Sequence, residues 1–545
     1  MTGDLPWPLQ RLRAELDGKA TLAAFAQALP TLQRLYSAPR DQQTLAAWAR
    51  ERLPAGRYVI YGAGTMGATL CQAVSDRSDV EIQGFLDRRA QDIGEFCGRP
   101  VLPPEAASAQ VVDGILVLHH HRGQSIAAAL HQLGCAPSHI RDVLADPDYV
   151  AFALAQHMPE IRSWQGRGIE HLVVSCAEPQ WSLLRDCELD ALPRDKTLHV
   201  WFGRPESPQA GRLDDHFPLF DAHLSLTLLD ALIRSLPLRS VYVRVSAHFA
   251  GQFLSGWLKL RHPDIVVVQE MYDQTLMLTD EKLMRAYDCD AEDIYLARLS
   301  ELASLELCDL VLVKNGGLLW EDACHGLGAP QCLIYPRVDL PLPVAGTPDP
   351  EAIIFAGTLP IPSTVDQESD HLDMRYVEMI QRLPADSGLR IDLFNAAHRL
   401  PGHDALFAPY HALAGAGQLL RYHPGLPFDR MIQRLPDYGW GWHIMHGDEA
   451  DAEPVSRVGI GNKFTTYLAC GLPVLIDPQF QFMADLVRAY GAGLVVAPAD
   501  LPTLPQRLGA VDREHLRLGG QRLIAMMRAV NATSRGHVMT LLAGG

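Results

Sequence analysis

Lysine is scarce in this sequence, and acidic residues outnumber basic ones. Lysine accounts for six of the 47 basic residues, and 64 acidic residues give a formal net charge of −17. A general nucleic-acid binder needs a cationic field toward phosphate. The charge therefore predicts that nucleic acid is not a partner, while a local basic pocket for a nucleotide is still allowed.

Metal-binding spacings and membrane-length apolar runs are also missing. The ten cysteines include no C-x-x-C pair and no cysteine–histidine cluster at zinc spacing. No apolar run reaches the roughly 18 residues of a membrane span, and the first residues lack the apolar stretch of a secretory signal. We therefore expect a cytoplasmic protein with reduced thiols and no bound metal, in which any membrane association is peripheral.

Alternating apolar strands and amphipathic helices are what the sequence does contain. This order is typical of α/β domains, and 545 residues exceed what one core holds. The predicted fold is α/β, with tandem Rossmann-like domains that form a cleft, preceded by a further Rossmann-like domain. The predicted division is a helical leader (1–56), a Rossmann-like domain (57–150), two α/β domains (168–343 and 351–520) and a C-terminal helix (521–545).

A glycine motif marks the first of these domains. Gly62, Gly64 and Gly67 form G-x-G-x-x-G between a predicted strand and a helix, and Asp87 ends the next strand. Glycines at these positions permit a tight turn and close approach of phosphate, and the acid can bind a ribose hydroxyl. The motif predicts a site for a nucleotide, a nucleotide-sugar or NAD(P). The alternative is a turn that binds nothing.

The second α/β domain places ionisable residues at the ends of neighbouring strands. His248 follows one predicted strand, and Glu270 and Asp273 fall at the end of the next. These residues are candidate catalytic groups, because a base is needed to remove a proton from an acceptor hydroxyl. The alternative is a structural histidine with solvated acids.

The stretch "GIGNKFTTYLACGLPVLI" opens the main helix of the last domain. Lys463 lies at the helix start, where a cation opposes the helix dipole unless an anion neutralises it. Asn462, Thr465 and Thr466 could cap the helix. The pattern predicts an anion site after Gly461, and the alternative is a capped core helix with a solvated lysine.

Residues 170–520 resemble GT-B glycosyltransferases, nearest to the family 4-like group. The match includes "AIIFAGTL" and "NKFTTYLACGLPVLI", the latter against a family run N-K-x-x-E-Y-x-A-x-G-x-P-V. The resemblance implies a donor diphosphate held at the helix start without a metal. The residues expected on the donor side are Gly357, Thr358, His446, Gly461, Asn462, Lys463, Thr465 and Thr466.

The sequence departs from that family pattern at the acidic positions. Thr466 replaces the family's ribose-binding glutamate, and Val458 replaces its partner acid. No arginine or lysine directly follows Gly357. The first Rossmann-like domain, separately, is similar to modules of bacterial polysaccharide-biosynthesis proteins, which implies surface-sugar metabolism.

The combined prediction is a glycosyltransferase of bacterial surface-glycan synthesis. It would move a sugar from a nucleotide-sugar donor to a glycan, lipid-linked or protein acceptor, with no cofactor required for transfer. Lys463 would bind the diphosphate, and His248 or Asp273 would act as the base. Two alternatives are an NAD-dependent sugar-modifying enzyme that uses the first domain, and a degenerate scaffold that binds nucleotide-sugars. The sequence gives no indication of oligomeric state.

Overall fold

Three sheets of mainly parallel strands organise the protein. The computed structural model describes residues 18–119, 123–176, 182–203, 216–245, 251–287, 290–340, 347–359, 370–396, 403–415, 417, 419–445 and 454–544. Helices pack on the sheet faces, so many of the central strands are buried on both sides. This burial explains why strands such as "LVLV" are continuous apolar runs rather than alternating ones.

The first sheet has six strands in the order β3-β4-β2-β1-β5-β6, with the short β3–β4 pair antiparallel. Its strands are β1 (Gly56–Tyr61), β2 (Val80–Leu86), β3 (Glu95–Phe96), β4 (Arg99–Leu102), β5 (Gly114–Val117) and β6 (Ile140–Asp142). The helices of this part of the chain are α1 (Gly18–Leu35), α2 (Gln42–Glu51), α3 (Thr65–Ala73), α4 (Ala90–Ile93), α5 (Gly123–Gln132) and α6 (Pro147–Gln165).

The second sheet has seven parallel strands in the order β13-β12-β11-β10-β7-β8-β9. Its strands are β7 (His171–Ser175), β8 (Thr197–Trp201), β9 (Leu219–Asp221), β10 (Ser240–Val245), β11 (Val266–Met271), β12 (Leu310–Val313) and β13 (Gln331–Leu333). Its helices are α7 (Leu226–Ser235), α8 (Leu254–Arg261), α9 (Asp280–Tyr287), α10 (Ala291–Leu307) and α11 (Leu318–Cys324).

The third sheet has six parallel strands in the order β16-β15-β14-β17-β18-β19. Its strands are β14 (Asp349–Gly357), β15 (Arg390–Asn395), β16 (Leu420–Pro424), β17 (Tyr438–His443), β18 (Val474–Ile476) and β19 (Gly493–Val495). Its helices are α12 (Asp370–Gln381), α13 (His403–Leu406), α14 (Ala408–Gly415), α15 (Phe428–Arg434), α16 (Pro454–Val458), α17 (Asn462–Ala469), α18 (Gln481–Tyr490) and α19 (Leu504–Gly509).

The predicted helical leader is divided between two domains. In α1, Phe25 is fully buried in the core of the second domain, where its ring lies so close to Gly256 that a Cβ there would be 2.7 Å from it. In α2, Trp48 is fully buried in the core of the first domain and its ring packs edge-on against Tyr149. The leader therefore joins the first two domains.

The last helix, α20 (Arg513–Gly544), crosses from the third domain back to the second. It begins at Arg513 rather than at the predicted residue 521. Leu523 packs in the core of the third domain, whereas Val538 packs on the second sheet. Between them, the Asn531 side chain exchanges two hydrogen bonds of 2.8 Å with the backbone of Tyr335. Among the described helices, none has the length and apolarity that crossing a membrane would require.

Candidate functional site

The second and third domains meet at the carboxyl ends of their strands. The Ile460 N–H donates to the Lys314 carbonyl at 3.0 Å, and the Gly316 N–H donates to the Val458 carbonyl at 2.9 Å. These bonds form an isolated antiparallel bridge between Asn315 and Gly459. Two parallel sheets therefore face each other across a cleft, and α20 packs against both domains. The arrangement is the GT-B fold.

The segment before α17 brings the predicted anion site to this cleft. Gly461 is the N-cap of α17, and no side chain of the described residues caps this helix start. The expectation that Asn462, Thr465 or Thr466 caps the helix is therefore wrong. Asn462 is already in the first turn, and the Thr465 hydroxyl donates back to the Asn462 carbonyl at 3.2 Å. Helix-start N–H groups without a side-chain acceptor favour an anion.

Lys463 points its ammonium to the end of β14. Nζ lies 4.2 Å from the centre of the Phe355 ring and 3.6 Å from the Met445 sulfur. No carboxylate of the described residues lies within salt-bridge distance of this nitrogen. Burial lowers the pKa of Lys463 to about 8, although the residue keeps some exposed surface. The site thus holds a cation whose charge the described protein does not balance, which is the arrangement that an anionic ligand relieves.

Small residues leave room for α17 against the sheet. A Cβ at Gly357 would lie 2.8 Å from Cδ of Lys463, and one at Gly441 would lie 2.5 Å from the Tyr467 ring. The Tyr467 hydroxyl accepts the Ala356 N–H at 2.9 Å, which fixes the helix to β14. Gly357 therefore lies directly beside the Lys463 side chain, and the next residue, Thr358, is exposed.

The positions of the missing family acids are apolar or sterically enclosed. Thr466 is buried in α17, and Val458 is fully buried while its carbonyl serves the bridge between the domains. A carboxylate at either position would have to leave water and find a new partner. His446 lies outside the described residues.

Two residues that the sequence prediction missed belong to the same cleft. Tyr272, just after β11, has its ring 3.8 Å from Nζ of Lys314 and its hydroxyl within hydrogen-bonding reach of Asn462. Arg337 adopts φ 57°, a left-handed conformation that is unusual for a long side chain, and lies over the Phe428 ring. Burial lowers the pKa of Arg337, and the interaction with Tyr272 opposes part of this shift.

Arg337 does not stand out in the sequence because the segment "CLIYPRVD" has the apolar start of a single strand. The structure ends β13 at Leu333, so Arg337 lies in the connection between the two domains. The useful signal would have been an arginine directly after Pro336 in a domain connection. Tyr272 was not predicted because it lies between Glu270 and Asp273, the two acids that were selected as candidate catalytic groups.

The candidate catalytic residues have three different outcomes. His248 lies outside the described residues. Asp273 is at the cleft, where its Oδ1 lies 2.7 Å from Nζ of Lys314. Burial opposes the charge of Lys314, yet Asp273 raises the pKa of this lysine above its ordinary value. Lys314 is therefore already neutralised, in contrast to Lys463.

Glu270 is placed in a structural role rather than a catalytic one. It is fully buried, and its carboxylate accepts the N–H groups of Leu183 and Leu184 and the Tyr242 hydroxyl. Burial raises the pKa of Glu270. The prediction that it faces the cleft is wrong because β11 is buried on both faces, so a position near the strand end does not ensure contact with solvent.

The glycine motif of the first domain forms the predicted turn. Gly62 has φ 107°, and a Cβ at Gly67 would lie 2.5 Å from the Gly62 carbonyl, so both positions need glycine. Gly64 begins α3 without a side-chain cap. Asp87 holds this turn itself, since its carboxylate accepts the Ala63 N–H at 3.0 Å.

Comparisons with known proteins give similarity of structure only. Neither a protein-family model nor a curated protein matches the sequence. One similar structure is HepE of Anabaena in complex with UDP, at 11% identity over 68% of this chain and 100% of the other, with a TM-score of 0.47. Another is sucrose-phosphate synthase of Thermosynechococcus elongatus, at 14% identity over 69% and 100%, with a TM-score of 0.47. A third is MurG of Acinetobacter baumannii, at 12% identity over 69% and 100%, with a TM-score of 0.37.

Proposed function

We propose that this protein is a glycosyltransferase that uses a nucleotide-sugar donor. The observation that carries the proposal is Lys463, a cation at an uncapped helix start in the cleft, with no described carboxylate to balance it. When the bond from the sugar to the diphosphate breaks, negative charge develops on the departing phosphate. A fixed ammonium and helix N–H groups stabilise that charge.

The acceptor side of the proposed site is the second domain. Asp273 stands at the cleft edge, and His248 is the alternative base. The proposed acceptor is a glycan, a lipid-linked sugar or a protein in bacterial surface-glycan synthesis. Support for that finer proposal is the resemblance of the first domain to polysaccharide-biosynthesis modules.

The first domain is proposed to bind a nucleotide, a nucleotide-sugar or NAD(P). Added Cβ atoms at Gly62 and Gly64 would meet nothing within 4 Å, so the surface of the turn is open to a ligand. Gly64→Asp would introduce a carboxylate at this turn and repel a phosphate.

A thermal-shift screen with UDP, GDP, CDP, ADP and NAD(H) tests the proposal and assigns ligands to domains. We expect one nucleoside diphosphate to raise the Tm of the wild type and of Gly64→Asp. Release of that diphosphate from its nucleotide-sugars would then be measured with candidate acceptors. If only NAD(H) shifts the Tm, and only when Gly64 is present, the NAD-dependent alternative replaces the proposal. Binding of a nucleotide-sugar without transfer to any acceptor would favour the degenerate scaffold.

Diphosphate binding is expected to take up a proton near pH 8. The pKa of Lys463 is about 8 without ligand, so about half of these lysines are neutral at that pH. A bound diphosphate raises the pKa of the lysine and draws about 0.5 proton per ligand from the buffer. Calorimetry in two buffers of different ionisation enthalpy measures this uptake. At pH 6.5 the lysine is already charged, so its contribution to uptake should vanish, and an equal uptake at both pH values would contradict the assignment.

Arg337 is expected to supply a second cation to the donor phosphates. Its guanidinium would take over the charge of the basic residue that the family pattern has after Gly357 and that this sequence lacks. No described carboxylate is paired with Arg337. We expect Arg337→Gln to weaken diphosphate binding about tenfold, in line with the loss of one charge-assisted hydrogen bond. Isothermal titration calorimetry measures this change.

Arg528→Gln is the matched control for this prediction. Arg528 contacts the same connection, where its Nε donates to the Val338 carbonyl at 3.0 Å and lies 3.4 Å from Asp339. Its charge is therefore already paired, and its replacement should leave diphosphate affinity unchanged. Equal weakening by both variants would show that the connection, rather than the Arg337 charge, controls binding.

A further inference from the structure

A second group of polar residues lies far along the chain from the donor site, where three segments meet. Asp41 precedes α2, His157 is in the middle of α6, and His223 follows β9. One ligand atom from each of the three lies within 4.8 Å of the other two. We call these residues the Asp41–His157–His223 cluster. All three side chains are partly buried.

The distances in the cluster are too long for hydrogen bonds but suit a shared ion. Nε2 of His157 lies 3.8 Å from Oδ2 of Asp41, and the two imidazole rings have centres 5.0 Å apart. Two ligands of one tetrahedral Zn²⁺, each about 2.0–2.1 Å from the metal, lie about 3.4 Å from one another. Small side-chain movements would therefore bring the atoms to coordination distance.

The backbone at His223 is held in an unusual conformation. His223 has φ 47° and Leu224 has φ 55°, which are left-handed values for two successive non-glycine residues. The His223 carbonyl accepts the Arg40 N–H at 2.9 Å, next to Asp41. This contact holds the histidine beside the carboxylate, in a backbone conformation that costs energy and that the surrounding structure must stabilise.

Neighbouring groups are placed to orient metal ligands. The Thr44 hydroxyl and N–H both donate to Oδ2 of Asp41, and Oδ2 of Asp221 lies 3.6 Å from Nδ1 of His223. Hydrogen-bonded carboxylates and carboxylate–histidine pairs are the usual surroundings of ligating residues.

We propose that the Asp41–His157–His223 cluster binds one Zn²⁺ ion that joins the first and second domains. Two imidazoles and one carboxylate suit zinc, whereas Mg²⁺ and Ca²⁺ prefer all-oxygen ligands. Tyr149 of α6 packs in the first core and Ile161 of the same helix in the second, so the ion would fix the helix that spans both domains. The role is structural and does not depend on the proposed glycosyl transfer.

Zinc titration of the full chain tests this proposal. After removal of metal with a chelator, we expect one equivalent of Zn²⁺ to bind, and Mg²⁺ or Ca²⁺ in excess not to displace it. Asp41→Asn and His223→Gln should each weaken Zn²⁺ binding by about 100-fold or more, since loss of an orienting neighbour alone costs 10- to 100-fold. Asparagine at position 41 caps α2 as well as aspartate does, so the variant should remain folded.

His411→Asn is the matched control. His411 belongs to a second histidine–aspartate group with His403 and Asp404, in which Asp404 is almost fully exposed and His403 is bonded to the Tyr422 hydroxyl. This variant should retain one equivalent of tightly bound Zn²⁺. The proposal is overturned if the wild type shows no saturable Zn²⁺ site, or if binding is lost in His411→Asn and kept in Asp41→Asn and His223→Gln.

Discussion

Lys463→Met is expected to stabilise the ligand-free protein and to weaken nucleoside diphosphate binding by about 30- to 100-fold. Methionine keeps the length and packing of the side chain but removes a buried charge that no described carboxylate balances. A pKa lowered from 10.5 to about 8 corresponds to a destabilisation on the order of 1–3 kcal/mol at neutral pH, after allowance for partial exposure of the residue. Stability and affinity should therefore change in opposite directions.

The pH dependence of stability tests the same prediction independently, because the stability difference between the wild type and Lys463→Met should change with pH in a fixed direction. Between pH 8 and pH 10.5 the unfolded protein binds more protons at Lys463 than the folded protein does. The wild type should therefore be least stable relative to Lys463→Met at and below pH 8, and it should close the gap as the pH rises toward 10.5. Urea unfolding of both proteins at pH 7, 8.5 and 10 measures this difference.

Lys259→Met is the matched control, with the opposite expected sign. Nζ of Lys259 lies 2.9 Å from Asp309 and also donates to the carbonyls of Pro263 and Ile265. Removal of this paired lysine should destabilise the second domain and leave diphosphate affinity unchanged. If Lys463→Met behaves in the same way as Lys259→Met, Lys463 is a structural lysine and the donor-site proposal fails.

The residues of the proposed donor side can be selected from the sequence because their signal is local. Gly461, Lys463 and the strand after them are close in sequence, and the helix dipole makes a lysine at that position informative without any tertiary contact. The cap was predicted one residue too late, since Gly461 is the N-cap and Asn462 is the first residue of the helix. Helix ends are the least certain part of a pattern because neighbouring residues can serve as the cap.

The rest of the site depends on contacts between distant parts of the chain. Arg337 and Tyr272 come together with Asn462 only after the two domains pack. Hydrophobic periodicity identifies strands and helices but does not show which strand ends lie side by side across a cleft. The same limit applies to the leader, whose two helices look alike in sequence and pack on different domains.

Asp87 shows that an acid at a motif position can either bind a ligand or support the turn of the motif. The sequence places an acid at the end of β2, where a ribose-binding group is expected. In the structure its carboxylate accepts the Ala63 and Arg89 N–H groups and thereby holds the glycine turn. Spacing alone does not distinguish an acid that binds a ligand from one that supports the ligand-binding loop.

Glu270→Ala is expected to destabilise the second domain by about 3–5 kcal/mol. The carboxylate accepts from Leu183, Leu184 and Tyr242, and the Arg244 charge also stabilises its ionised form. Alanine would leave these buried donors without an acceptor and would open a cavity. Chemical denaturation monitored by circular dichroism measures the loss.

Two companion variants separate this structural role from a catalytic one. Glu301 is also fully buried and accepts the Thr275 and Leu276 N–H groups, so Glu301→Ala should cost a similar amount. Glu321 is exposed on α11, and Glu321→Ala should change stability by less than about 0.5 kcal/mol. A catalytic Glu270 would instead give an alanine variant as stable as the wild type that binds nucleoside diphosphate normally and no longer transfers sugar. Because the buried carboxylate is bonded on several sides and lies away from solvent, we expect stability to be lost first, and any loss of transfer to follow the fraction of unfolded protein.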